Sequence, residues 1–229
     1  MKYYKYETHM HTSESSACGR ASAAEQVEFY AEHGYSGIIV TDHFLNGNTT
    51  VKTEGLSWKE QIEKFCEGYI NALQAGKKAG IDVFFGWEYS FLGTDFLTYG
   101  LSPKWLLQNP QIMDMLYWDY CNFVRDEGGM IIHAHPFREA GYIKEIRLTP
   151  RSIDGVEIIN ACRTDFQNKL ALQYANNYNL IKIAGSDNHS AYTQKKLAGI
   201  KTKERIESIN EFVDIIKSGK YKIFTEKVK

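Results

Sequence analysis

The chain has 229 residues, is 43% hydrophobic and carries a formal net charge of -1. That composition suits one packed globular domain spanning 1–229, and it provides no overall field for a long nucleic acid or an anionic membrane surface. Four cysteines (Cys18, Cys66, Cys121, Cys162) without a CxxC pair exclude a disulfide framework and a zinc-finger spacing, and they fit a reducing compartment.

No apolar run approaches the ~18 residues of a membrane span, and the opening MKYYKYETHMH is too polar for a signal peptide. A cytoplasmic, non-membrane protein is expected. In chain order, residues 4–9 read as a first strand. Ser22 to Glu25 forms a capping box, followed by Ala24, Val27 and Ala31 at helical spacing up to Gly34. Residues 36–41 (SGIIVT) read as a buried strand. A second capping box, Ser57 to Glu60, opens a long helix with Ile62, Phe65, Tyr69 and Leu73 on its apolar face and Gly80 at its end.

Residues 82–87 (DVFFGW) and 95–101 read as strands, and 113–127 as a helix stopped by Gly128-Gly129. Strands follow at 130–133, 155–159 and 180–184, with a helix through Leu170, Tyr174 and Ala175 between the last two. Ser208 to Glu211 caps a last helix ending at Gly219, and residues 221–224 close the series as a strand. Strands alternating with helices imply parallel pairing and right-handed crossovers. A doubly wound sheet and a barrel both fit; seven or more strands favour an α/β barrel.

Polar residues recur just where these apolar strands stop. His9 and His11 end the first, Asp42 and His43 the second, and Glu88 follows DVFFGW. His133 and His135 follow GGMI, Asn160 follows GVEII, and Asp187 and His189 follow LIKIA. Six of the seven histidines therefore lie at strand ends. In parallel β/α folds those ends share one face, where active sites form.

Imidazole with carboxylate favours Zn, Mn or Fe over Mg or Ca. In an extended His-x-His the alternate side chains point the same way, so His9 and His11 can chelate one ion. Each piece has a plainer reading. A lone His-x-His is weak, a buried histidine is usually satisfied by a carbonyl, and Asp42 or Asp187 can merely cap the next helix. Convergence on one pocket explains these strand ends at once. No GxSxG and no phosphate-loop motif competes.

The chain resembles the PHP (polymerase and histidinol phosphatase) superfamily over nearly its full length. The resemblance is carried by HMHTSES at 9–15, TDHF at 41–44, GWE at 86–88, HAHPFR at 133–138 and AGSDNH at 184–189. It implies a distorted (β/α)7 TIM-like barrel holding two or three divalent ions, Zn, Mn or Fe. It also implies that His9, His11, Glu88 and Asp187 hold the first ion, Glu88 and His135 the second, and His43 and His189 the third.

Two departures stand out. Relatives place an Asp or His several residues after His-x-His, where this chain has Thr12 to Cys18; Glu14 is the expected substitute, with Cys18 behind it. Relatives also carry a histidine after the bridging Glu; here Asp95 is the nearest ligand and His133 a further candidate.

The activity so implied is hydrolysis of a small phosphate monoester or phosphodiester, of histidinol-phosphate or nucleotide type, by metal-activated hydroxide. His43, Glu88 and His189 are the expected catalytic residues, with His43 or His189 protonating the leaving oxygen. Arg20, Arg138 and Arg163 are candidate phosphate clamps, since a guanidinium grips phosphate with two prongs. Two alternatives stand beside this: an amidohydrolase-type C–N hydrolase, and a metal-bound regulatory module without turnover.

Overall fold

The computed structural model describes residues 3–228; residues 1, 2 and 229 of the expected 1–229 span lie outside the described residues. Strand β1 (Tyr4–Met10) leads through the loop 11–22, which ends in a capping box at Ser22, into helix α1 (Ala23–Glu32). Strand β2 (Gly37–Val40) follows, buried along its whole length.

The expected helix from Ser57 to Gly80 is two helices, α2 (Trp58–Phe65) and α3 (Glu67–Ala79). The break has a cause in the first loop. The Ser15 hydroxyl donates to the Phe65 carbonyl and accepts from the Gly68 N–H, so a side chain enters the helix ladder.

Next come β3 (Asp82–Phe85), β4 (Trp87–Phe91) and β5 (Thr94–Tyr99). The stretch 82–87 is thus not one strand: the chain leaves β3 at Gly86 and starts a second sheet. Helices α4 (Pro103–Gln108) and α5 (Tyr117–Asp126) precede β6 (Met130–Ala134) and β7 (Gly155–Asn160). The expected helix 113–127 starts four residues late, because Pro110–Met113 forms a separate 3-10 turn. Helix α6 (Asp165–Asn177), capped by Thr164, leads to β8 (Ile181–Gly185). Strand β9 (Lys196–Thr202), unforeseen, precedes α7 (Ile209–Ser218) and β10 (Lys222–Lys227).

The strands form two five-stranded sheets, ordered β10-β9-β1-β2-β3 and β4-β5-β6-β7-β8. The β1, β2 and β3 neighbours are parallel, as are β6, β7 and β8. Strand β5 runs antiparallel to both β4 and β6, and β9 antiparallel to β1 and β10. The β4–β5 reversal is forced by its two-residue turn, Leu92-Gly93, which is far too short for a parallel crossover.

The expected distorted (β/α)7 barrel is therefore not present as one closed ladder among the described residues. Among the described residues no strand ladder joins the sheets; isolated bridges link them, at Met10 with Asn188 and at His43 with Glu88. At the second seam the Glu88 N–H donates to the Asp42 carbonyl and the Phe44 N–H to the Glu88 carbonyl. Both seams fall at the ends of strands that carry candidate site residues.

Phe44, Trp87 and Tyr89 adjoin that seam and are buried in the core. The Trp87 indole N–H donates to the Tyr120 hydroxyl at 2.7 Å, and the Tyr89 and Tyr120 rings stack with centroids 3.6 Å apart. These aromatics brace the seam from below. No helix among the described residues is long and apolar enough to cross a membrane.

Candidate metal centre

Strands β1, β2, β6 and β8 bring their C-terminal ends to the site, and β4 brings its start, just after the chain leaves β3. His9 lies in β1 and His11 just past it; His43 follows β2, Glu88 is in β4, His135 follows β6, and Asp187 and His189 follow β8. Asp95 arrives differently. It sits near the start of β5, and because β5 is reversed its start lies at the end where the others stop. Asp187 (φ 54°) and His135 (φ 27°) hold left-handed backbone, which non-glycine residues adopt only when the surroundings impose it.

The innermost group is His9, His11, Glu88 and Asp187. His9 Nε2 is 3.2 Å from His11 Nε2, 3.4 Å from Asp187 Oδ1 and 3.6 Å from Glu88 Oε1. His11 Nε2 is 3.4 Å from Asp187 Oδ1 and 3.5 Å from Glu88 Oε2. A tetrahedral ion with bonds of about 2.0–2.1 Å places its ligand atoms about 3.3 Å apart. These five edges have that spacing.

The hydrogen bonds behind the two imidazoles set their tautomers. His9 Nδ1 donates to Glu157 Oε1 at 2.8 Å. The Ser16 hydroxyl gives its hydrogen to Asp42 Oδ1, so at 3.0 Å it accepts from His11 Nδ1. Both Nε2 atoms then present lone pairs to each other, an arrangement that calls for a proton or a cation between them. Burial opposes charge on His9, but Glu157, Asp187 and Glu88 outweigh it and raise its pKa well above the usual value. Burial, with His189 and His43 nearby, holds His11 well below it. Burial likewise works against ionising Glu88 and Asp187, yet the surrounding histidines hold both well below the normal carboxylate range.

Glu88 reaches two further groups. Its Oε1 is 3.1 Å from His135 Nε2, and His135, Glu88 and Asp95 form a second set able to hold an ion. Its Oε2 lies 2.7 Å from His43 Nδ1, but the contact is off-line and both atoms are buried without a hydrogen-bond partner. A third set is His11, His43 and His189. The Nδ1–H of His189 donates to the Asp187 carbonyl at 2.7 Å, which leaves Nε2 free.

Of the other expected residues, Arg138 and Arg163 line the same cavity of about 510 Å³, together with Cys18, Asn48 and Tyr142. Arg138 Nη2 donates to Asp95 Oδ2 at 2.7 Å, and Arg163 Nη2 to Asp187 Oδ2 at 3.4 Å. Three expectations are corrected. Glu14 is not brought to the cluster: its carboxylate accepts from the Ala23 N–H at the start of α1 and from Asn71. His133 faces the core, packed against Phe96 and Tyr174, where burial pushes its pKa down to about 3. Arg20 is exposed and outside the cavity lining; only its backbone N–H touches the site, through the His189 carbonyl.

Residues that the sequence reading missed form the backing of the site. Glu157, besides anchoring His9, accepts from the His135 N–H and from Asn160 Nδ2 through Oε2. Glu7 Oε1 accepts the N–H groups of Thr8, His9 and Ser186, and burial raises its pKa to about 7. Asp42, singled out in the sequence as a strand-end residue, also belongs to the backing: it accepts from the Thr12 N–H, Thr12 Oγ1 and Ser16 Oγ, and burial raises its pKa to about 6. The available signal was a lone acid inside an apolar strand, as in GVEII. Cys18 stands beside His43 and His189; burial raises its pKa, but those two rings outweigh this and lower it to about 6.

Solved structures share this fold. A two-domain protein from Bacteroides vulgatus containing a predicted PHP-like metal-dependent phosphoesterase aligns over 97% of this chain, with 18% identity and a TM-score of 0.73. This chain spans 65% of that protein's length. A proposed metal-dependent phosphoesterase from Bifidobacterium adolescentis aligns over 92% of this chain and 95% of its own, with 14% identity and a TM-score of 0.56. An amidohydrolase from Chromobacterium violaceum, with bound sulfate and no metal, covers 94% and 96%, with 12% identity and a TM-score of 0.56. Among curated proteins no sequence matches. The PHP domain family model, in contrast, matches residues 7–221, which include every strand-end residue described above, and the chain belongs to that family.

Proposed function

We propose that the protein is a metal-dependent phosphoesterase acting on a small phosphate monoester or phosphodiester, with 1–229 as one catalytic unit in a cytoplasmic setting. One observation carries the reading: His9 and His11 point lone pairs at each other at 3.2 Å inside a cage closed by Glu88 and Asp187. A cation held between the two Nε2 atoms satisfies both lone pairs and leaves both Nδ1–H anchors intact, and the two carboxylates of the cage balance its charge.

On this reading His9, His11, Glu88 and Asp187 hold one ion, Glu88, His135 and Asp95 a second, and His43 and His189 a third. Zn, Mn or Fe suits such nitrogen and oxygen donors. Ions so held supply acidified water and charge neutralisation for a phosphoryl group.

The chain's own residues do the rest. Glu88 is central because its two oxygens face different histidines, and it links the positions. Arg138 and Arg163 give the cavity two guanidiniums for phosphoryl oxygens. Asp95 holds Arg138 in place through the 2.7 Å pair, and Ser90 Oγ steadies Asp95 at 2.6 Å. His43 and His189 serve as ligands at the mouth: the Asp187 carbonyl engages His189 Nδ1 and leaves Nε2 for an ion, and His43 Nδ1 is buried 2.7 Å from Glu88 Oε2 without a hydrogen bond. A cavity of about 510 Å³ suits a small substrate.

The test joins metal analysis to a panel of phosphate esters and cyclic amides, on wild type and Glu88→Gln. Wild type should carry at least two ions and cleave phosphate esters; Glu88→Gln should lose both metal and turnover. Activity confined to amides would favour the amidohydrolase reading. Full metal occupancy with no turnover across the panel would favour a regulatory module.

A further inference from the structure

The loop between β1 and α1 delivers a thiol to the outermost histidines. Its backbone is tied down at every step around Cys18. The Ala17 N–H donates to the Asn48 carbonyl at 2.8 Å, the Gly19 N–H to the Ser16 carbonyl at 2.9 Å, and the Arg20 N–H to the His189 carbonyl at 2.7 Å. A Cβ on residue 19 would lie 2.4 Å from the Thr12 carbonyl oxygen, so the turn that presents Cys18 closes only with glycine there. The residues that flank Cys18 hold the backbone of both histidines, Ser16 Oγ accepting the His43 N–H at 3.0 Å and the Arg20 N–H reaching the His189 carbonyl, and Cys18, His43 and His189 line the same cavity.

The surroundings point to a ligand. His11, His43 and His189 form a group whose nitrogens can share an ion, with ring centroids 4.4 Å apart for His11 and His43 and 4.2 Å for His11 and His189. His43 Nδ1 is buried with no hydrogen-bond partner, and His189 Nε2 is left free by the anchor on Nδ1. Neutral imidazoles alone bring no charge to balance a divalent ion. Glu14, the carboxylate nearest in sequence, is turned away to cap α1. Cys18 is the anionic donor that the loop puts in its place.

We propose that Cys18 is a thiolate ligand of the outermost cation position, together with His43 and His189. A sulfur, two-nitrogen donor set selects a soft or borderline ion such as Zn over Mg or Mn. This inference rests on the metal-centre reading above and adds to it a ligand and a preference for one class of ion.

Cobalt distinguishes the two claims, because thiolate bound to Co(II) gives a near-ultraviolet charge-transfer band that nitrogen and oxygen ligands lack. The full-length protein, loaded with Co(II), is expected to show this band. Cys18→Ser should lose the band and one equivalent of metal, while Cys162→Ser, which removes the thiol that donates to the Asp187 carbonyl, should keep both. Cys18→Asp should recover the lost equivalent without the band, and its outer position should shift in preference from Zn toward Mn. Circular dichroism on each variant checks the fold. Cobalt bound by wild type without a thiolate band, or a band that survives in Cys18→Ser, overturns the role of Cys18 and leaves the metal centre standing. Failure of wild type to bind cobalt, zinc or manganese overturns both.

Discussion

Glu157 shows how much of the centre depends on a residue that never faces the cavity. One of its oxygens fixes the His9 tautomer, and the other fixes the His135 backbone. In Glu157→Gln one of these oxygens becomes an NH2 group facing existing donors, so a bond is lost and a clash is gained. Partners of this kind typically contribute 10–100-fold to metal affinity. Zinc affinity of Glu157→Gln, measured by competition with a chromophoric chelator, should fall by about 10–100-fold. Unchanged affinity would show that His9 is oriented by packing alone. The strand-end residues themselves were legible in the sequence because each breaks an apolar run. Glu157 and Glu7 were not read as site residues because they lie inside their strands. His133 misled for the opposite reason. Two residues along from His133, His135 lies beyond the end of β6 in left-handed backbone, so the alternation that groups His9 with His11 does not carry over.

Among the elements, β8 illustrates the tolerance on which the site depends. A Cβ built on Gly185 would stand 2.5 Å from His9 Cβ and 2.7 Å from Glu157 Oε1. Gly185→Ala therefore forces β8 away from β1 or displaces the His9–Glu157 pair. Overpacking of this kind costs typically 1–3 kcal/mol. Urea denaturation should show a loss of about that size, and an unchanged midpoint would mean that the seam is looser than described. Helix starts were the most legible elements, since Ser22, Ser57 and Ser208 each cap the helix expected of them. Strand β9 was missed because KLAGIKT mixes lysine with small residues, and its pairing with β1 and β10 supplies what its own pattern lacks. The split of α2 from α3 was illegible because its cause, Ser15, lies more than forty residues away in sequence.

Across the whole molecule the metal centre and the joint between the sheets are the same place. Asn188 ties β1 to the end of β8, and Glu88 ties β4 to the residues after β2, each within one or two residues of candidate ligands. Ligands that bind only the folded state stabilise it by mass action, by about 2.7 kcal/mol at a hundredfold excess over the dissociation constant. Chelation should therefore lower the melting temperature. It should also raise hydrogen exchange first at residues 9–12, 41–44, 86–90 and 186–190, as read by mass spectrometry. Exchange that rises uniformly, or first at α7, would show that the ions do not hold the joint. The α/β class and the position of the site were legible from strand-end polarity; the two-sheet arrangement was not, because the reversal of β5 depends on a two-residue turn.

The place of β1 between β2 and β9 has a consequence during synthesis. Its partner on one side is made soon after it, but residues 196–202 leave the ribosome nearly two hundred residues later. Asp187 and His189, which complete the inner and outer groups, also come late. A nascent chain therefore carries His9 and His11 on a strand with one open edge until residues 196–202 have emerged. It should acquire metal in one late event rather than ion by ion.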